Sequence, residues 1–364
     1  MVNDVDLLIK TVLEKIENNG FEAYIVGGFV RDLYLGREST DVDIITNALP
    51  KDLHLIFDSG IVSTEAYGSF RLKSDKFTFD ITTYRSEAKY HNRRPGKVKY
   101  INNLIEDLHR RDFTINSLCM DKFGSIIDLL NATSDIENKK IRVIGKTKTK
   151  LKEDPLRILR ALRFAVVLDF SLDEEIIKFI KKNKKLIKTL SYDRKKEELN
   201  KILVSSNACK GLKYMKILGV HDELEIDFDD LVFVNDLSGM WSQLRVSSNY
   251  NFTKQEKSNI KTIKEIVSYG KITNEIVYKY GLYYVVVAGS ILGVNNVTIN
   301  KMYNDLPIKN VKDINITAKE IIELLNIKPS ELIKNIYSDL ETNILNGNLK
   351  NNKEEIIEYI KGKW

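Results

Sequence analysis

The sequence predicts an α+β protein in which a small mixed β-sheet with flanking helices is followed by an almost entirely helical remainder. Two observations support this prediction. Short apolar runs with strand-like alternation recur between Ala23 and about Tyr100 and then stop. After Ser125 the apolar residues return at helical spacing, and the whole chain has only five prolines to interrupt helices.

The N-terminal elements follow one another at short intervals. Apolar residues from Val5 to Ile16 recur at helical spacing and predict an opening helix that packs on the sheet, with Gly20 as its stop signal. Four strand-like runs follow, AYIVG, DVDIIT, SFRLK and KFTFDITTY, and a helix-like PKDLHLIFD lies among them. This order predicts a mixed head domain over residues 1–150.

Helical patterns dominate the rest of the chain. Asp154-Pro155 has the form of a helix start, an N-cap residue followed by proline at the first helical position. The run LRILRALRFAVVL continues that helix, and further helical patterns cover residues 174–187, 194–203 and 208–218. We therefore expect a helical neck at 151–218 and a helical body and tail at 219–364.

Composition limits the class of protein. With 43% hydrophobic and 30% charged residues and no apolar run of about 18, the chain is typical of a soluble protein without a membrane partner. The N-terminus lacks the basic and apolar segments of a secretory signal. The only two cysteines, Cys119 and Cys209, have no metal-ligand spacing with the four histidines, so we expect a cytoplasmic protein without structural zinc. A net charge of +6 permits a polyanionic partner.

The stretch GGFVRDLYLGRESTDVDII, residues 27–45, combines two signals for phosphate chemistry. Asp41 and Asp43 stand one residue apart on a strand-like run, so both carboxylates point to one face. Like charges so close repel each other, and their pairing makes sense if they bind a divalent cation such as magnesium (Mg2+), which also takes phosphate oxygens. Gly27 and Gly28 lack Cβ atoms and let backbone N–H groups approach a triphosphate. The stretch predicts a nucleotidyl-transfer site.

The order and spacing of these residues resemble the first motif of the nucleotidyltransferase superfamily. Within it, the chain is similar to the class II tRNA nucleotidyltransferases (CCA-adding enzymes) and their bacterial poly(A) polymerase relatives. The matching residues are Gly27, Gly28, Val30, Arg31, Asp32, Asp41 and Asp43. The resemblance covers about residues 20–220, and it implies a nucleotidyltransferase head that acts on the tRNA 3′ end with CTP, ATP and magnesium.

Two further features follow the first motif. Asp80 lies between Phe79 and Ile81 on a strand-like run, where the superfamily commonly has a third carboxylate that supports the metals or the primer hydroxyl. A solvent-facing aspartate is the alternative. The polar run TTYRSEAKYHNRRP resembles the family's flexible loop, which is tied to nucleotide choice, and it matches at Thr83, Arg85, Glu87, Tyr90, Arg93, Arg94 and Pro95. Ala88 stands where the family often has glycine.

The run RRDFTIN, residues 110–116, matches the family's second motif. On a helix, Asp112 and Asn116 would share a face with Arg111 beside them, while Phe113 and Ile115 would pack inward. The functional interpretation is contact with ribose hydroxyls and phosphates; an arginine-capped surface helix is the alternative. The third motif corresponds to residues 128–135, with Ala132 in place of the usual glycine.

Glu153, Asp154 and Arg157 have helical i, i+3 and i, i+4 spacing, and Arg160 and Arg163 continue the same run. An ordinary intrahelical ion pair would look the same. The resemblance implies instead that Asp154 and Arg157 form a protein template for the incoming base. Cytosine and adenine both offer a ring-nitrogen acceptor beside an amino donor, so an arginine donor and a carboxylate acceptor would select them over uracil and guanine. The fifth motif, with Asp193, Arg194, Glu198 and Leu199, is expected to brace this helix.

Three activities remain compatible with these motifs. The leading interpretation is addition of the 3′-terminal CCA to tRNA. An A-adding tRNA enzyme or a bacterial poly(A) polymerase would use the same head, although the basic string that such polymerases often carry after the first motif is absent between Ile45 and Phe79. A non-catalytic RNA-binding protein would be expected to have lost a metal carboxylate, and both Asp41 and Asp43 are present.

Overall fold

A computed structural model describes residues 6–57, 61–64, 68–91 and 94–364 of the protein. The chain divides into two compact units, Met1–Ile226 and Asp227–Trp364. The predicted boundary between head and neck at residue 150 lies inside the first unit and stays a prediction.

The first unit begins with the elements that form its sheet. In chain order they are α1 (Leu7–Glu17), β1 (Ala23–Val26), α2 (Gly28–Tyr34), β2 (Asp41–Thr46), α3 (Pro50–Ile56), β3 (Ile61–Thr64), β4 (Ser69–Lys73), β5 (Thr78–Thr83), β6 (Arg85–His91), β7 (Arg94–Tyr100), α4 (Leu104–Arg110), β8 (Cys119–Met120) and β9 (Ile126–Ile127). Among the described residues, seven strands form one sheet in the order β3-β4-β5-β2-β1-β8-β9, and β6 pairs with β7 in a separate hairpin. The sheet is mixed, because β2 and β5 are parallel while their other neighbours are antiparallel.

Alternation of side chains gives the central strands one buried face. Val42 and Ile44 on β2, and Phe79 and Ile81 on β5, are all at most 2% exposed, whereas the residues between them face the other side. The predicted opening helix is confirmed as α1, whose Ile9, Val12, Leu13 and Ile16 are buried at the helical spacing expected. The inner strands are therefore held rigidly from one side, and their second face is available for a site.

The rest of the first unit is helical, apart from two short strands. Its elements are α5 (Ala132–Glu137), β10 (Lys140–Ile141), α6 (Thr147–Glu153), α7 (Leu156–Leu168), β11 (Ser171–Leu172), α8 (Glu174–Asn183), α9 (Tyr192–Leu203), α10 (Ala208–Ile217) and α11 (Val220–Leu224). Helix α7 is at the centre of this part and packs against both α9 and α10. Nine of its thirteen residues are buried, eight of them apolar together with Arg157.

The second unit is built from helices around its own core. After β12 (Ile226–Asp227) come α12 (Leu237–Ser242), β13 (Arg245–Val246), α13 (Lys254–Ser268), α14 (Asn274–Ile291), α15 (Asn296–Asn304), α16 (Ala318–Leu325), α17 (Glu331–Leu345) and α18 (Lys353–Lys363). Residues from α13 to α18 share one apolar cluster that includes Ile263, Val285, Ile336 and Ile356. Within the described ranges, no helix is both long and apolar enough to cross a membrane.

Candidate active site

Three carboxylates lie on the open face of the sheet. Asp41 and Asp43 are on β2, and Asp80 is on β5, where parallel pairing places it directly beside Asp43. The alternating pattern predicted this arrangement for Asp41 and Asp43, and the strand register adds Asp80 to the same face. Their apolar neighbours fill the opposite face of the sheet, which fixes the direction of all three side chains.

The double glycine lies against the same carboxylates. Gly27 follows β1, whose last residue, Val26, pairs with Asp43, and its φ of +84° is in the left-handed region that favours glycine. A Cβ atom at Gly27 would lie 3.2 Å from Oδ2 of Asp43 and 3.9 Å from a guanidinium nitrogen of Arg111. Gly28 then begins α2. The backbone can approach the carboxylate face here only because Gly27 has no side chain.

The electrostatics of this face favour a bound cation. Crowding by protein atoms raises the pKa of the Asp43 carboxyl; Arg111 counteracts this shift, while Asp80 and Asp41 add to it. A divalent ion would relieve this repulsion, so the residues fit a metal. Among the described residues, no three or more His, Cys, Asp or Glu side chains are placed so that they could hold a metal ion by themselves. Asp41 and Asp43 would therefore share the ion with water and phosphate oxygens, as is usual for magnesium.

A hydrogen-bonded chain connects the first motif to the second and to α7. Arg31, 7% exposed, forms a bidentate ion pair with Asp32 and donates from Nη1 to Oδ1 of Asn116 at 2.5 Å. Asn116 in turn donates from Nδ2 to Oδ1 of Asp112 at 3.2 Å, and Arg160 donates from Nε to Oδ2 of Asp112 at 2.7 Å. The predicted second-motif residues are thus brought together with Arg31 and Arg160.

The local structure of the second motif differs from the helix that its spacing suggested. Residues Thr114–Asn116 form a short 3-10 turn after an extended Arg111, yet Asp112 and Asn116 still touch and Phe113 and Ile115 are fully buried. Burial alone would raise the pKa of Asp112, but the charge and hydrogen bond of Arg160, with further hydrogen bonds, lower it to about 2. The Asp112 carboxylate therefore stays ionised and holds Arg160 in place.

Three arginines surround the ring of Phe164 on α7. The guanidinium carbons of Arg31, Arg160 and Arg163 lie 5.2, 5.4 and 4.3 Å from the ring centroid. Arg163 also forms an ion pair with Glu198 on α9 at 2.8 Å, so the fifth motif does brace α7. Cation–π contacts gain strength when desolvated, and Phe164 is only 6% exposed. Phe164 was missed in the sequence, where its apolar character indicated only core packing.

The helix face that the spacing of Glu153, Asp154 and Arg157 suggested is interrupted in the structure, whereas the predicted helix start beside Pro155 is present. Helix α6 ends at Glu153, Asp154 is extended with φ −138° and ψ 98°, and α7 begins at Leu156. The cause is Pro155, which disfavours the helical region for the residue before it. Arg157 still lies 3.6 Å from Glu153, across the break. Its buried guanidinium donates to the carbonyl oxygens of Lys150 and Arg110 at 2.9 and 3.4 Å.

The predicted flexible loop is a β-hairpin over its described part. Arg85 and Glu87 lie at its base, where Glu87 accepts from Arg85 at 2.7 Å and from Arg110 at 3.3 Å. Arg110 also donates to Asp107, which is fully buried and accepts from the backbone N–H of Arg85. Of the other predicted loop residues, Arg93 and the side chain of Arg94 lie outside what the structure describes.

Asp107 and Arg71 are charged residues of the site that were not singled out in the sequence. Asp107 pairs with Arg110 and Arg111 at i+3 and i+4 spacing, a signal that was present in the sequence. Arg71 on β4 pairs with Asp80 through both carboxylate oxygens, at 2.6 and 2.9 Å. That contact depends on the register between β4 and β5, which the sequence does not specify locally.

Comparison with family models divides the chain into three matched regions. Residues 23–142 match the "Poly A polymerase head domain" family, and residues 240–360 match "tRNA nucleotidyltransferase domain 2". Residues 169–228 match a family described as a probable RNA and SrmB-binding site of polymerase A. The similarity thus extends beyond residue 220, where the sequence motifs ended.

Individual proteins resemble the chain over nearly its full length. The CCA-adding enzyme of Ligilactobacillus salivarius (strain UCC118) is 33% identical over 96% of this chain and 95% of its own. The CCA-adding enzyme of Limosilactobacillus reuteri (strain DSM 20016) is 31% identical over 97% of this chain and 95% of its own. The crystal structure of the Bacillus stearothermophilus CCA-adding enzyme in complex with CTP is similar in fold, with a TM-score of 0.81, 25% identity, and coverage of 98% and 96%. On these grounds the chain belongs to the family of CCA-adding enzymes, which are tRNA nucleotidyltransferases.

Proposed function

We propose that the protein completes the 3′-terminal CCA of tRNA, using CTP and ATP and releasing pyrophosphate. The observation that carries this proposal is the hydrogen-bonded chain from Arg31, in the motif that also contains Asp41 and Asp43, through Asn116 and Asp112 to Arg160 on α7. The motif for phosphate transfer is thereby linked to a helix with arginine donors. Similarity to CCA-adding enzymes along the whole chain supports the same activity.

Asp41 and Asp43 are proposed to hold magnesium (Mg2+) beside the triphosphate. Such ions lower the pKa of the terminal 3′ hydroxyl and neutralise charge on the leaving pyrophosphate when bound. Gly27, whose own N–H donates to the carbonyl oxygen of Leu118, would leave room for the phosphates, and the N–H of Gly28 at the start of α2 would donate to them. Arg111, beside Gly27, would neutralise their charge. Asp80 stays a candidate for supporting the metals or the primer hydroxyl.

The second motif is proposed to orient the nucleotide through its arginines. Asp112 and Asn116 are already hydrogen-bonded to Arg160 and Arg31, so they hold those guanidinium groups in fixed directions. All three nitrogens of Arg31 already donate to Asp32 and Asn116, whereas Arg160 is fixed at Nε and would donate from its Nη groups to ribose or phosphate oxygens. Arg163, braced by Glu198, would keep this side of α7 in position.

Asp154 and Arg157 are proposed to select the base. Asp154 is extended at the break between α6 and α7, and its Oδ1 accepts from the N–H of Leu156. The Asp154 carboxylate is the acceptor we assign to the exocyclic amino group of cytosine or adenine. Arg157 would supply the donor to the ring nitrogen. Uracil and guanine would leave both groups unmatched.

The division of labour along the chain is part of the same proposal. Residues 1–150 would carry the catalysis, 151–218 the recognition of the base, and 219–364 the binding of tRNA. The hairpin that contains Arg85 and Glu87, together with Arg93 and Arg94, would adjust the choice between C and A. A cytoplasmic location is proposed with this activity.

Replacement of the carboxylates by amides tests the proposal. Asp41→Asn and Asp43→Asn should each abolish incorporation of labelled C and A into tRNA that lacks its CCA end, because the metal site loses charge. Binding of that tRNA, measured by filter retention, should change by less than about twofold, since these side chains contact no RNA in the proposal. Substantial transfer by either variant would exclude the assignment.

A further inference from the structure

The Asp80 carboxylate is held at both of its oxygens by one arginine. Arg71 lies directly opposite Asp80 in the antiparallel pairing of β4 with β5, and donates from Nε to Oδ1 at 2.6 Å and from Nη2 to Oδ2 at 2.9 Å. The two side chains are 47% and 36% exposed, so both can be reached by ions from solvent. Each oxygen of this carboxylate keeps a second lone pair, but a cation that approaches it meets the positive charge of the Arg71 guanidinium and must compete with it.

Asp80 lies between two competing neighbours. On one side β4 presents Arg71, and on the other side β2 presents Asp43, each one strand away. Adjacent strands are about 4.8 Å apart, so a cation held by Asp41 and Asp43 would lie within reach of an Asp80 that turned towards it. The hydrogen bond and charge of Asp80 raise the pKa of Arg71, with a further contribution from Asp41. Arg71 is thus a permanent positive charge at the edge of the carboxylate face.

We propose that Arg71 is a positioning residue that competes with the bound divalent cation for the Asp80 carboxylate and so weakens cation binding at Asp41 and Asp43. This inference rests on the proposed function, because it presupposes the cation site. Removal of Arg71 would allow Asp80 to face the cation and would add a negative charge to its surroundings. A divalent ion about 6 Å from a newly available carboxylate gains about 1.4 kcal/mol in water, which corresponds to roughly tenfold in affinity.

Manganese binding to the full chain without nucleotide tests the proposal directly. The concentration of free Mn2+ is followed by electron paramagnetic resonance in wild type, Arg71→Met, Asp80→Asn and the double variant. Arg71→Met should bind Mn2+ about tenfold more tightly than wild type. In the Asp80→Asn background the same arginine change should alter affinity by less than about twofold, because the competition it relieves no longer exists. The magnesium concentration that gives half-maximal activity should fall in parallel in Arg71→Met.

A matched control separates competition from simple loss of charge. Lys73 is exposed on the same face of β4, two residues from Arg71, and pairs with Thr78 instead of an acid. Lys73→Met should therefore leave Mn2+ affinity within about twofold of wild type. Unchanged or weaker binding by Arg71→Met would overturn the proposal, and so would a tightening that persists in the Asp80→Asn background.

The double variant Asp41→Asn, Asp43→Asn shows whether the measured Mn2+ binds at the proposed site. Its tight Mn2+ binding should disappear, which assigns the signal to the proposed site. If this variant instead binds Mn2+ like wild type, the proposed metal site itself is wrong, whatever Arg71 does. If binding is lost there but Arg71→Met has no effect, the metal site stands and only the competition is excluded.

Discussion

A Cβ atom at Gly27 would lie 3.2 Å from Oδ2 of Asp43, closer than most real Cβ contacts. Glycine is favoured at this position for two reasons: it leaves space for the Asp43 carboxylate, and its φ of +84° disfavours any other residue. One residue thus connects the phosphate-binding turn to the metal carboxylate. This contact explains in physical terms why a glycine before α2 and an aspartate on β2 belong to the same site.

Gly27→Ala should abolish nucleotide transfer because the new methyl group displaces the Asp43 carboxylate. Gly20→Ala is the matched control: Gly20 has the same φ of +84°, but a Cβ there would meet no atom within 4 Å. Both variants should lose about 1 kcal/mol of stability from backbone strain, and only Gly27→Ala should lose activity beyond that. Equal activity losses in the two variants would show that strain alone matters at Gly27.

Glu87→Gln should slow A addition more than C addition, by about tenfold in the ratio of the two rates. The change removes the charge on which Arg85 and Arg110 converge, so the base of the hairpin loses a charge-assisted contact. Single-turnover rates with CTP or ATP on the matching tRNA ends measure the effect. Glu174→Gln, which breaks an exposed pair with Lys178, is the control and should change neither rate. Equal slowing of both additions would limit the hairpin to a supporting role.

Arg157→Ala should reduce discrimination against UTP and GTP by about ten- to a hundredfold. A lost hydrogen bond to a charged group is worth on the order of 1.5 to 3 kcal/mol. CTP and ATP would lose this bond in the variant, whereas UTP and GTP, which do not match the Arg157 donor, would lose nothing. The variant should also lose stability, since Arg157 is buried and donates to two carbonyl oxygens.

Leu159→Ala provides a destabilised control on the same helix. Leu159 is 1% exposed, and its truncation costs about 2 to 5 kcal/mol through a cavity without removing a donor. Its preference for CTP and ATP in a four-nucleotide competition should remain that of wild type. If Arg157→Ala folds, binds tRNA and keeps its full preference as well, base selection must reside in other residues of the neck.

Ionised Asp112 should stabilise the first unit in a pH-dependent way. Its pKa of about 2 in the folded protein is below the ordinary value near 3.9, so the stabilisation is present above about pH 4 and is lost as pH falls towards 2. The full loss, reached below pH 2, amounts to about 2.6 kcal/mol. Asp112→Asn should remove this part of the pH dependence.

The stability of the first unit is best followed by hydrogen exchange of the amides in α7. Tryptophan fluorescence would report on the second unit instead, because both Trp241 and Trp364 lie there. Wild type should lose protection between pH 4 and the lowest accessible pH more steeply than Asp112→Asn. The same slope in both proteins would mean that other carboxylates cause the acid sensitivity.

Features with a local cause could be predicted from the sequence. The shared face of Asp41 and Asp43 follows from strand alternation alone, and the buried residues of α1 follow from helical spacing. The helix start near Asp154 was placed within two residues, although the face shared by Glu153 and Arg157 is interrupted. The charge spacing suggested one shared helix face, but Pro155 keeps Asp154 out of the helical region, so α6 and α7 are separate helices.

Features that depend on distant pairing could not be predicted. Arg31 meets Asn116 across 85 positions, and Arg71 meets Asp80 only because β4 and β5 adopt one register. The hairpin of β6 and β7 was expected to be a loop because its residues are mostly polar. Its backbone pairing needs no apolar face, and the ion pairs of Arg85, Glu87 and Arg110 supply anchoring that composition does not reveal.

The product made by the wild-type protein is the most direct test of the proposed activity. A tRNA that ends before its CCA is incubated with magnesium and all four nucleoside triphosphates together, and the mass of the 3′-terminal fragment is determined. Addition of C, C and A in that order, followed by arrest, is the predicted result. A single added A, a long A tail, or incorporation of U or G at the same frequency would contradict it.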